Sequence, residues 1–369
     1  MTPKVYFTDF CTRNGETLPQ KLARLIMTAG MDQIDFQDKY VAIKIHFGEL
    51  GNMAHLRPGY ARVVVDLVKQ LGGKPFLTDA NTMYVGSRKN ALDHLETAYL
   101  NGFTPYTTGC HVIIADGLKG TDEVAVPVRG GEYVEKAMIG RAVMDADIVI
   151  SLNHFKGHEE AGFGGALKNL GMGCGSNQGK RDMHSAGRPC IDPDKCVACG
   201  ACAKNCAHDG PQIDPETGKM KINWVNCMGC GRCVDTCPME AIYHSSENAI
   251  RMLNYKIAEY AKAVVDGRPN FHITLVRDVS PYCDCHAEND LPIVPDVGMF
   301  ASFDPVALDL ACAEAVLKQP VNPGSKLDKA NRPDLDHFTA DFPVSNWRTQ
   351  IDHGKKIGLG EDSYELITI

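Results

Sequence analysis

The sequence lacks the segments that would direct it into or across a membrane. It contains no run of about 18 apolar residues, the length that a membrane-spanning helix needs. Residues 1–15 show no basic stretch followed by a long apolar stretch, so we expect no signal peptide. Basic side chains are in deficit, with 38 Lys and Arg against 46 Asp and Glu and a formal net charge of -8. This acidity argues against general binding to nucleic acids or anionic membranes, and we expect a cytoplasmic protein without membrane insertion.

Cysteine, in contrast, is abundant, with 15 residues in a chain of 369. The odd number excludes a complete set of disulfides, and a chain of this length does not need disulfides to compensate for a small core. Hydrophobic residues make up 44% and charged residues 23%, which is the composition of a folded globular protein. In a reducing compartment the thiols are then expected to be either reduced or bound to metal.

Strand-like and helix-like segments alternate along the first part of the chain. Short β-rich runs at 40–47 and 74–79 flank a segment, 59–71, with apolar residues at helical spacing. A further helix is expected over 135–145, before a buried strand at 148–152. This alternation predicts an α/β fold with a mostly parallel sheet and helices on both faces. Ligands bind such sheets beyond the carboxyl ends of the strands, where we expect Lys44, His46, Asp79, Asn81, Asp116, Asn153 and His154.

Two cysteine runs share the spacing C-x-x-C-x-x-C-x-x-x-C. They consist of Cys196, Cys199, Cys202 and Cys206, and of Cys227, Cys230, Cys233 and Cys237. In two-cluster ferredoxins, the fourth Cys of each such run ligates the other cluster. We therefore predict two [4Fe-4S] clusters, the first on Cys196, Cys199, Cys202 and Cys237 and the second on Cys227, Cys230, Cys233 and Cys206.

A pair of zinc sites is the competing interpretation of these runs. Structural zinc usually takes two separated C-x-x-C pairs, whereas each run here has three Cys at two-residue spacing and then a fourth. Pro238 follows the second run, as in ferredoxins, whereas Ala207 follows the first run. This departure from the ferredoxin pattern affects only local geometry. A hairpin is expected over 212–224. The predicted domains are residues 1–188 and 246–369 as two parts of an α/β domain, with a ferredoxin-like α+β module at 189–245 between them.

A glycine-rich segment follows the strand predicted at 148–152. A strand, a glycine loop and a short helix together favour binding of phosphate or carboxylate. The P-loop and the dinucleotide-binding fingerprint do not fit, because Cys174 and Leu167 stand where glycines are required. We predict a cradle for an unidentified organic cofactor or anionic ligand, formed by Gly162, Gly164, Gly165, Gly171 and Gly173. The alternative is that these glycines permit close packing.

Four polar residues around this segment are the candidates for orienting a substrate or transferring protons: His154, Lys156, His158 and Lys168. For the two histidines, metal ligation and a purely structural role are the alternatives. No Glu directly follows His154, so the metalloprotease helix motif is absent. Cys283 and Cys285 form a C-x-C pair that cannot easily close an unstrained disulfide. They are predicted either as an additional thiolate site for a soft metal, or near a cluster, or as ordinary loop residues.

The chain resembles a known family across several of these motifs. Residues 154–175, the two cysteine runs, Cys283-Asp284-Cys285, Pro295–Gly298 and Ser302–Asp309 are together similar to the family called domain of unknown function 362, over about Val5 to Leu317. The resemblance implies the architecture described above and two [4Fe-4S] clusters, but no particular reaction. The cysteine segment by itself resembles bacterial-type ferredoxins, and the strand and loop pattern is more weakly similar to that of the nickel-pincer lactate racemase group.

These observations favour an iron–sulfur oxidoreductase. The clusters would relay electrons from a ferredoxin- or flavodoxin-like redox partner, and the α/β domain would hold the substrate or cofactor. Two other functions remain open. One is a non-enzymatic electron carrier or subunit of a complex, and the other is a factor that handles metals or clusters through Cys283 and Cys285.

Overall fold

The computed structural model describes residues 2–12, 15–187, 189–227, 229, 231–244 and 248–369. Its strands are, in chain order, β1 (Lys4–Thr8), β2 (Tyr40–Lys44), β3 (Lys74–Asp79), β4 (Val112–Ile114), β5 (Glu123–Pro127), β6 (Lys136–Gly140), β7 (Ile148–His154), β8 (Lys156–His158), β9 (Gly162–Gly164), β10 (Pro189–Ile191), β11 (Pro211–Ile213), β12 (Met220–Ile222), β13 (Ile242–His244), β14 (Asn270–Val276), β15 (Gly298–Ser302) and β16 (Glu365–Thr368).

The helices are α1 (Leu18–Thr28), α2 (Pro58–Gln70), α3 (Ala91–Leu100), α4 (Pro105–Thr108), α5 (Arg141–Asp145), α6 (Ala166–Cys174), α7 (Asn177–His184), α8 (Ala201–Lys204), α9 (Arg232–Thr236), α10 (Ala249–Val265), α11 (Pro305–Leu317), α12 (Lys326–Ala330), α13 (His337–Asp341) and α14 (Arg348–Lys356). Local sequence explains where several of them begin. For example, α11 starts at Pro305 because Asp304 caps it, accepting hydrogen bonds from the amides of Val306 and Ala307.

The main sheet has the strand order β16-β1-β15-β14-β7-β2-β3-β4. β15 is antiparallel to both of its neighbours, and the other neighbouring pairs are parallel. β7 and β14 lie side by side, with Ser151 opposite His272, although the cysteine segment separates them in sequence. The predicted α/β architecture with a mostly parallel sheet is confirmed.

Side chains of the central strands alternate between two hydrophobic cores, one on each face of the sheet. Along β7, Ile150 and Leu152 belong to the core that includes α1 and α2, while Val149 belongs to the core that includes α6, α10 and α11. This period of two is expected of a strand with helices on both sides. Because packed side chains cover both faces of the sheet, a ligand site is expected at the carboxyl ends of the parallel strands.

The helix predicted over 135–145 is wrong in its first half. Lys136–Gly140 form β6, which pairs in antiparallel fashion with β5, and α5 begins only at Arg141. Ala137 and Ile139 are fully buried, whereas Lys136 and Met138 are more exposed. Apolar residues at alternate positions fit a strand once a partner strand is present.

The cysteine segment folds as an internal repeat with an offset of 31 residues, since Cys227 follows Cys196 by 227 − 196 = 31. The same offset relates β10 to β12, β11 to β13 and the start of α8 to the start of α9. The 31-residue offset also relates two residues with left-handed backbone conformation, Ala198 with φ 55° and Gly229 with φ 75°. β10 pairs with β13 and β11 with β12, the latter being the predicted hairpin. We call the folded segment 189–244, in its described residues, the cysteine module.

None of the helices found in the described ranges is both long and apolar enough to cross a membrane.

Candidate functional site

Two of the polar residues predicted at the strand ends, His46 and Asp79, line one cavity at the carboxyl edge of the sheet. The cavity has a volume of about 60 Å³, and its lining also includes Arg88, Lys156, Lys168, Lys180, Cys283 and Cys285. We call this the strand-end cavity. Its lining combines residues from the loops after β2, β3, β7 and β14 with residues of α6 and α7. Sequence reasoning identified some of these residues but not Arg88 or Lys180, which lie in segments without a distinctive pattern.

A buried ion pair lies behind one wall of the cavity. Lys44 Nζ is 2.9 Å from Asp79 Oδ1 and 2.7 Å from Asn169 Oδ1, and the Lys44 side chain has no exposed surface. Burial raises the pKa of Asp79, but Lys44, His94 and His46 together outweigh this effect, and the pKa lies well below its usual range. The Asp79 carboxylate is therefore ionised and depends on Lys44.

Arg88 is a buried arginine beside the same carboxylate, with its Nη1 3.7 Å from Asp79 Oδ2. Its Nε donates to Glu49 Oε2 at 3.0 Å, and its Nη1 lies 3.1 Å from His46 Nε2. Its Nη2 is buried and has no hydrogen-bond partner among the residues that the structure describes. Burial and the Arg88 charge hold the pKa of His46 well below its usual range, so His46 is neutral. A buried guanidinium with a free donor is suited to bind an anion.

His154, a predicted catalytic residue, is held at both edges of its ring. Nδ1 lies 2.9 Å from both carboxylate oxygens of Asp284, and Nε2 lies 2.7 Å from the carbonyl oxygen of Arg277. Lys156 Nζ is 3.2 Å from the same carboxylate. Burial raises the pKa of Asp284, but His154 and Lys156 hold it well below its usual range. His154 therefore anchors the 283–285 loop, while Lys156 lies on the cavity wall.

His158 is kept neutral by its surroundings. Its Nδ1 accepts hydrogen bonds from the amides of Glu160 and Ala161, both at 3.1 Å. Burial lowers the pKa of His158 to about 4, against a partly compensating effect of Glu159. The strand-end cavity has Lys156 and Lys168 in its lining but neither His154 nor His158.

His158 predicts a specific acid sensitivity. Because its pKa is lower in the folded protein than in the unfolded chain, its contribution to stability is present above about pH 6.5 and is lost as the pH falls toward 4. When the pH falls from 7 to 5, the free energy of unfolding of the wild type should fall by roughly 2 kcal/mol more than that of His158→Gln. The difference should appear as a few degrees in the thermal midpoint. The exposed His111 supplies the control, since His111→Gln should lose as much as the wild type. Equal losses in all three proteins would contradict the assignment.

The predicted glycine cradle is occupied in part by the protein's own groups. At the start of α6, the amides of Ala166 and Leu167 donate to the two oxygens of Asp309 at 2.7 and 2.8 Å. Burial raises the pKa of Asp309 to about 7. Sequence reasoning missed Asp309, although a carboxylate inside the apolar helix α11 was a signal. The N-terminus of α6 therefore has an internal acceptor for the first two of its amides.

The five predicted glycines differ in what surrounds them. Gly165 and Gly173 line the strand-end cavity. A Cβ on Gly171 would lie 2.1 Å from the carbonyl oxygen of Ile257 in α10, and a Cβ on Gly162 would lie 2.6 Å from Trp347 Cβ. A Cβ on Gly164 would lie 3.3 Å from Lys156 Cε. Gly162 and Gly171 thus allow close packing, the alternative left open above, and the others border the cavity or its lysines.

The first predicted group of cysteines is brought together. Cys196, Cys199, Cys202 and Cys237 all line one cavity of about 20 Å³ inside the cysteine module. The amide of Ala198 donates to Cys196 Sγ and that of Ala241 to Cys237 Sγ, both at 3.4 Å. Four thiols around a common space, with backbone amides directed at their sulfurs, could hold a four-iron cluster.

The second predicted group is only partly within the described residues, because Cys230 lies outside them. The amide of Gly210 donates to Cys206 Sγ at 3.3 Å, and that of Gly229 donates to Cys227 Sγ at 3.4 Å. A Cβ on Gly210 would lie 3.4 Å from Cys227 Cα and 3.6 Å from Cys206 Sγ. Cys206 and Cys227 are therefore neighbours across Gly210, as the predicted sharing requires.

No three His, Cys, Asp or Glu side chains of the described residues converge closely enough to hold a single metal ion. Cys283 and Cys285 thus have no third ligand of these types among the residues that the structure describes.

The cysteine module packs against the loop that carries Tyr84 and Arg88. His208 Nε2 lies 2.6 Å from the carbonyl oxygen of Met83, and Lys89 Nζ donates to the carbonyl oxygen of Ala207 at 3.2 Å. The Arg232 guanidinium lies 4.8 Å from the centre of the Tyr84 ring, and Tyr84 lines the strand-end cavity. The part of the module near Cys206 and Cys233 is therefore the part next to the cavity.

Comparison with known proteins identifies the family. The profile of the family described as Domain of unknown function (DUF362) matches residues 41–314. The chain belongs to this family. The matched DUF362 region runs from β2 into α11, so it contains the strand-end cavity and the cysteine module. The predicted resemblance is confirmed, although the match begins at residue 41 and not near Val5.

The matches to individual proteins either cover a small part of the chain or have low sequence identity. The chain is 30% identical over 124 residues to the thylakoid-associated protein sll1697 of Synechocystis sp., and the match covers 32% of each chain. Two solved structures also show similarity. The lactate racemase apoprotein from Thermoanaerobacterium thermosaccharolyticum has 11% identity and a TM-score of 0.34, covering 75% of this chain and 51% of the other. A protein from Thermotoga maritima has 12% identity and a TM-score of 0.40, covering 80% and 57%. The chain thus spans about a third of the curated relative and little more than half of either solved chain.

Proposed function

We propose that this protein is an iron–sulfur oxidoreductase that delivers single electrons to a small anionic substrate in the strand-end cavity. One observation carries the proposal. The four cysteines assigned to one cluster, three from the first run and Cys237 from the second, line the same cavity within a fold that repeats every 31 residues. The second cysteine run repeats the spacing of the first, so the proposal assigns a second cluster to Cys227, Cys230, Cys233 and Cys206.

The surroundings of the cysteines suit such a group. Backbone amides donate to Sγ of Cys196, Cys206, Cys227 and Cys237, and hydrogen bonds to sulfur are among the features that tune the potential of iron–sulfur clusters. Two [4Fe-4S] clusters would supply one-electron transfer. The protein would hold them through the eight thiolates, with Ala198, Gly210, Gly229 and Ala241 as the amide donors.

The charges of the strand-end cavity favour an anionic substrate. Lys156, Lys168, Lys180 and Arg88 all line it. Lys156 and Lys168 are near Asp284 and Cys283, but Arg88 Nη2 has no acceptor. A carboxylate or phosphate oxygen beside Arg88 would satisfy that donor without introducing a further buried charge that lacks a partner.

The two ends of the cysteine module differ in their surroundings, and this difference supports one end as the docking site of a redox partner. The loop with Cys199 is exposed, and Val197 beside it is 57% exposed. The region of Cys206 and Arg232 instead faces Tyr84. A ferredoxin- or flavodoxin-like donor, in a cytoplasmic setting that keeps thiols reduced, would therefore dock near Cys199.

The strand-end cavity also bears on the alternative functions. An electron carrier that acts only on other proteins has no need for a cavity lined by buried lysines and a buried arginine beside the module. This observation favours the oxidoreductase over the electron carrier.

Iron analysis tests the proposal. Protein purified and reconstituted without oxygen should contain about eight iron and eight sulfide per chain, and reduction with dithionite should produce an electron paramagnetic resonance signal. Cys199→Ser should reduce the iron content to about half, because Cys199 belongs to only one of the predicted ligand sets. Cys190→Ser is the matched control, since Cys190 lies in β10 of the same module outside both sets.

Two results would count against the proposal. One is a protein that binds zinc, or nothing, in place of iron and sulfide. The other is an unchanged iron content in Cys199→Ser.

A further inference from the structure

Cys283 is a buried thiol in contact with a lysine. Its side chain is 1% exposed, and its Sγ lies 3.1 Å from Lys168 Nζ. The loop that carries it is fixed, because Asp284 is held by His154 at 2.9 Å and Lys156 at 3.2 Å. Cys283 and Lys168 both line the strand-end cavity, so the sulfur is directed at the space where a substrate would lie.

Cys285 is the second thiol of this cavity and lies two residues after Cys283. The neighbouring Cys285 and the charges of Lys168 and Lys156 hold the pKa of Cys283 well below its usual range. The neighbouring Cys283 and burial raise the pKa of Cys285 well above its usual range. The pair therefore consists of one thiolate, Cys283, and one thiol, Cys285.

We propose that Cys283 and Cys285 form a redox-active dithiol that reduces small anionic disulfides, with Cys283 as the attacking thiolate and Cys285 as the resolving thiol. The proposal rests on the proposed function, because the oxidised Cys283–Cys285 pair must be reduced again by a donor of low-potential single electrons. It assigns a reaction to a site that the α/β domain builds outside the cysteine module.

The reaction balances in two steps. Cys283 Sγ attacks one sulfur of the substrate RS–SR, the substrate S–S bond breaks, and RS⁻ leaves as a mixed disulfide forms on Cys283. Cys285 gives its proton to the departing thiolate, and its sulfur attacks Cys283 Sγ to release the second RS⁻. The substrate gains two electrons and one proton, and the pair becomes a disulfide. Two electrons and one proton then restore the thiolate and the thiol.

Three features favour a disulfide as the substrate. A thiolate that attacks a carbon atom needs no second thiol. A mixed disulfide on Cys283, in contrast, needs a second thiol nearby to release the substrate, and Cys285 is close enough to act as that thiol. A disulfide across a single residue is strained and hence easily reduced again, the property of catalytic pairs. The unpartnered Nη2 of Arg88, on a side chain only 1% exposed, offers a donor to a negatively charged substituent.

A single-turnover experiment with two disulfides of opposite charge tests the proposal. Reduced protein is mixed without oxygen with dithiodiglycolate, which is anionic, or with cystamine, which is cationic. Dithiodiglycolate should react at least about tenfold faster, release both of its halves as thiols, and leave a Cys283–Cys285 disulfide in the peptide map by mass spectrometry.

Variants separate the roles of the three side chains. Cys285→Ser should stop at the mixed disulfide on Cys283 and release only one half of the reagent. Lys168→Met should slow the reaction at least about tenfold, and Lys168→Arg should restore part of the rate. Cys11→Ser, at an exposed position away from the cavity, should behave as the wild type.

Equal rates with the two reagents, release of both halves by Cys285→Ser, or the absence of a Cys283–Cys285 link would overturn the proposal. The single turnover uses only the electrons of the two thiols, so it does not depend on iron in the cysteine module. Loss of the dithiol reaction in a protein with full iron content would refute the dithiol alone, and an intact reaction in a protein that binds no iron would refute the proposed function alone.

Discussion

Replacement of Lys44 by methionine is expected to destabilise the protein by about 3–5 kcal/mol. Lys44 Nζ lies 2.9 Å from Asp79 Oδ1 with neither side chain appreciably exposed. Methionine keeps the apolar part of the side chain but removes the charge, so the Asp79 carboxylate stays buried without its principal counter-ion. The thermal midpoint, followed by circular dichroism without oxygen, should fall by on the order of 10 °C.

The matched control is Lys74→Met. Lys74 Nζ lies 3.4 Å from Asp38 Oδ1, but the two side chains are 53% and 75% exposed, so its loss should change stability by less than about 1 kcal/mol. A double variant, Lys44→Met with Asp79→Asn, should recover part of the stability because no isolated charge remains. Similar shifts in Lys44→Met and Lys74→Met would show that the buried pair contributes no more than a surface pair.

Substitution of Gly171 by alanine is expected to cost about 1–3 kcal/mol despite the higher helix propensity of alanine. A Cβ at this position in α6 would lie 2.1 Å from the carbonyl oxygen of Ile257 in α10 and 3.1 Å from Ile257 Cγ2. The obstacle is backbone of a long helix, so relief requires the two helices to move apart. The thermal midpoint should fall by several degrees.

Gly59→Ala provides the comparison for this substitution. Gly59 lies in the first turn of α2, and a Cβ there would have nothing within 4 Å. Alanine should leave stability unchanged or raise it by up to about 1 kcal/mol, because the unfolded chain loses conformational freedom. A fall in Gly59→Ala as large as that in Gly171→Ala would contradict the role assigned to the close contact of α6 with α10.

Much of the fold could be predicted because its elements are defined by short-range patterns. β3 occupies residues 74–79 as predicted, bounded by Gly72-Gly73 before it and by the irregular segment with Asn81 and Thr82 after it. The cysteine runs were recognisable because a repeated ligand spacing does not depend on the rest of the fold. The strand ends could be listed in advance, since parallel strands bring their carboxyl ends to one edge.

Other features depend on contacts that no local pattern records. The residues of β6 fit either a helical or a strand period, and only their pairing with β5 decides between the two. Arg88 and Glu49 meet across 39 residues in two loops. The pair Cys283 and Cys285 stood out in sequence, but its contact with Lys168 spans 115 residues, so the thiolate character of Cys283 could not be deduced before the fold was known.

The antiparallel pairing of β10 with β13 means that the chain leaves the α/β domain and returns to it at adjacent points, with Pro189 opposite His244. β7 and β14, one before this excursion and one after it, are still direct neighbours in the sheet. Excision of the cysteine module between these two points would therefore leave the strand order of the main sheet unchanged.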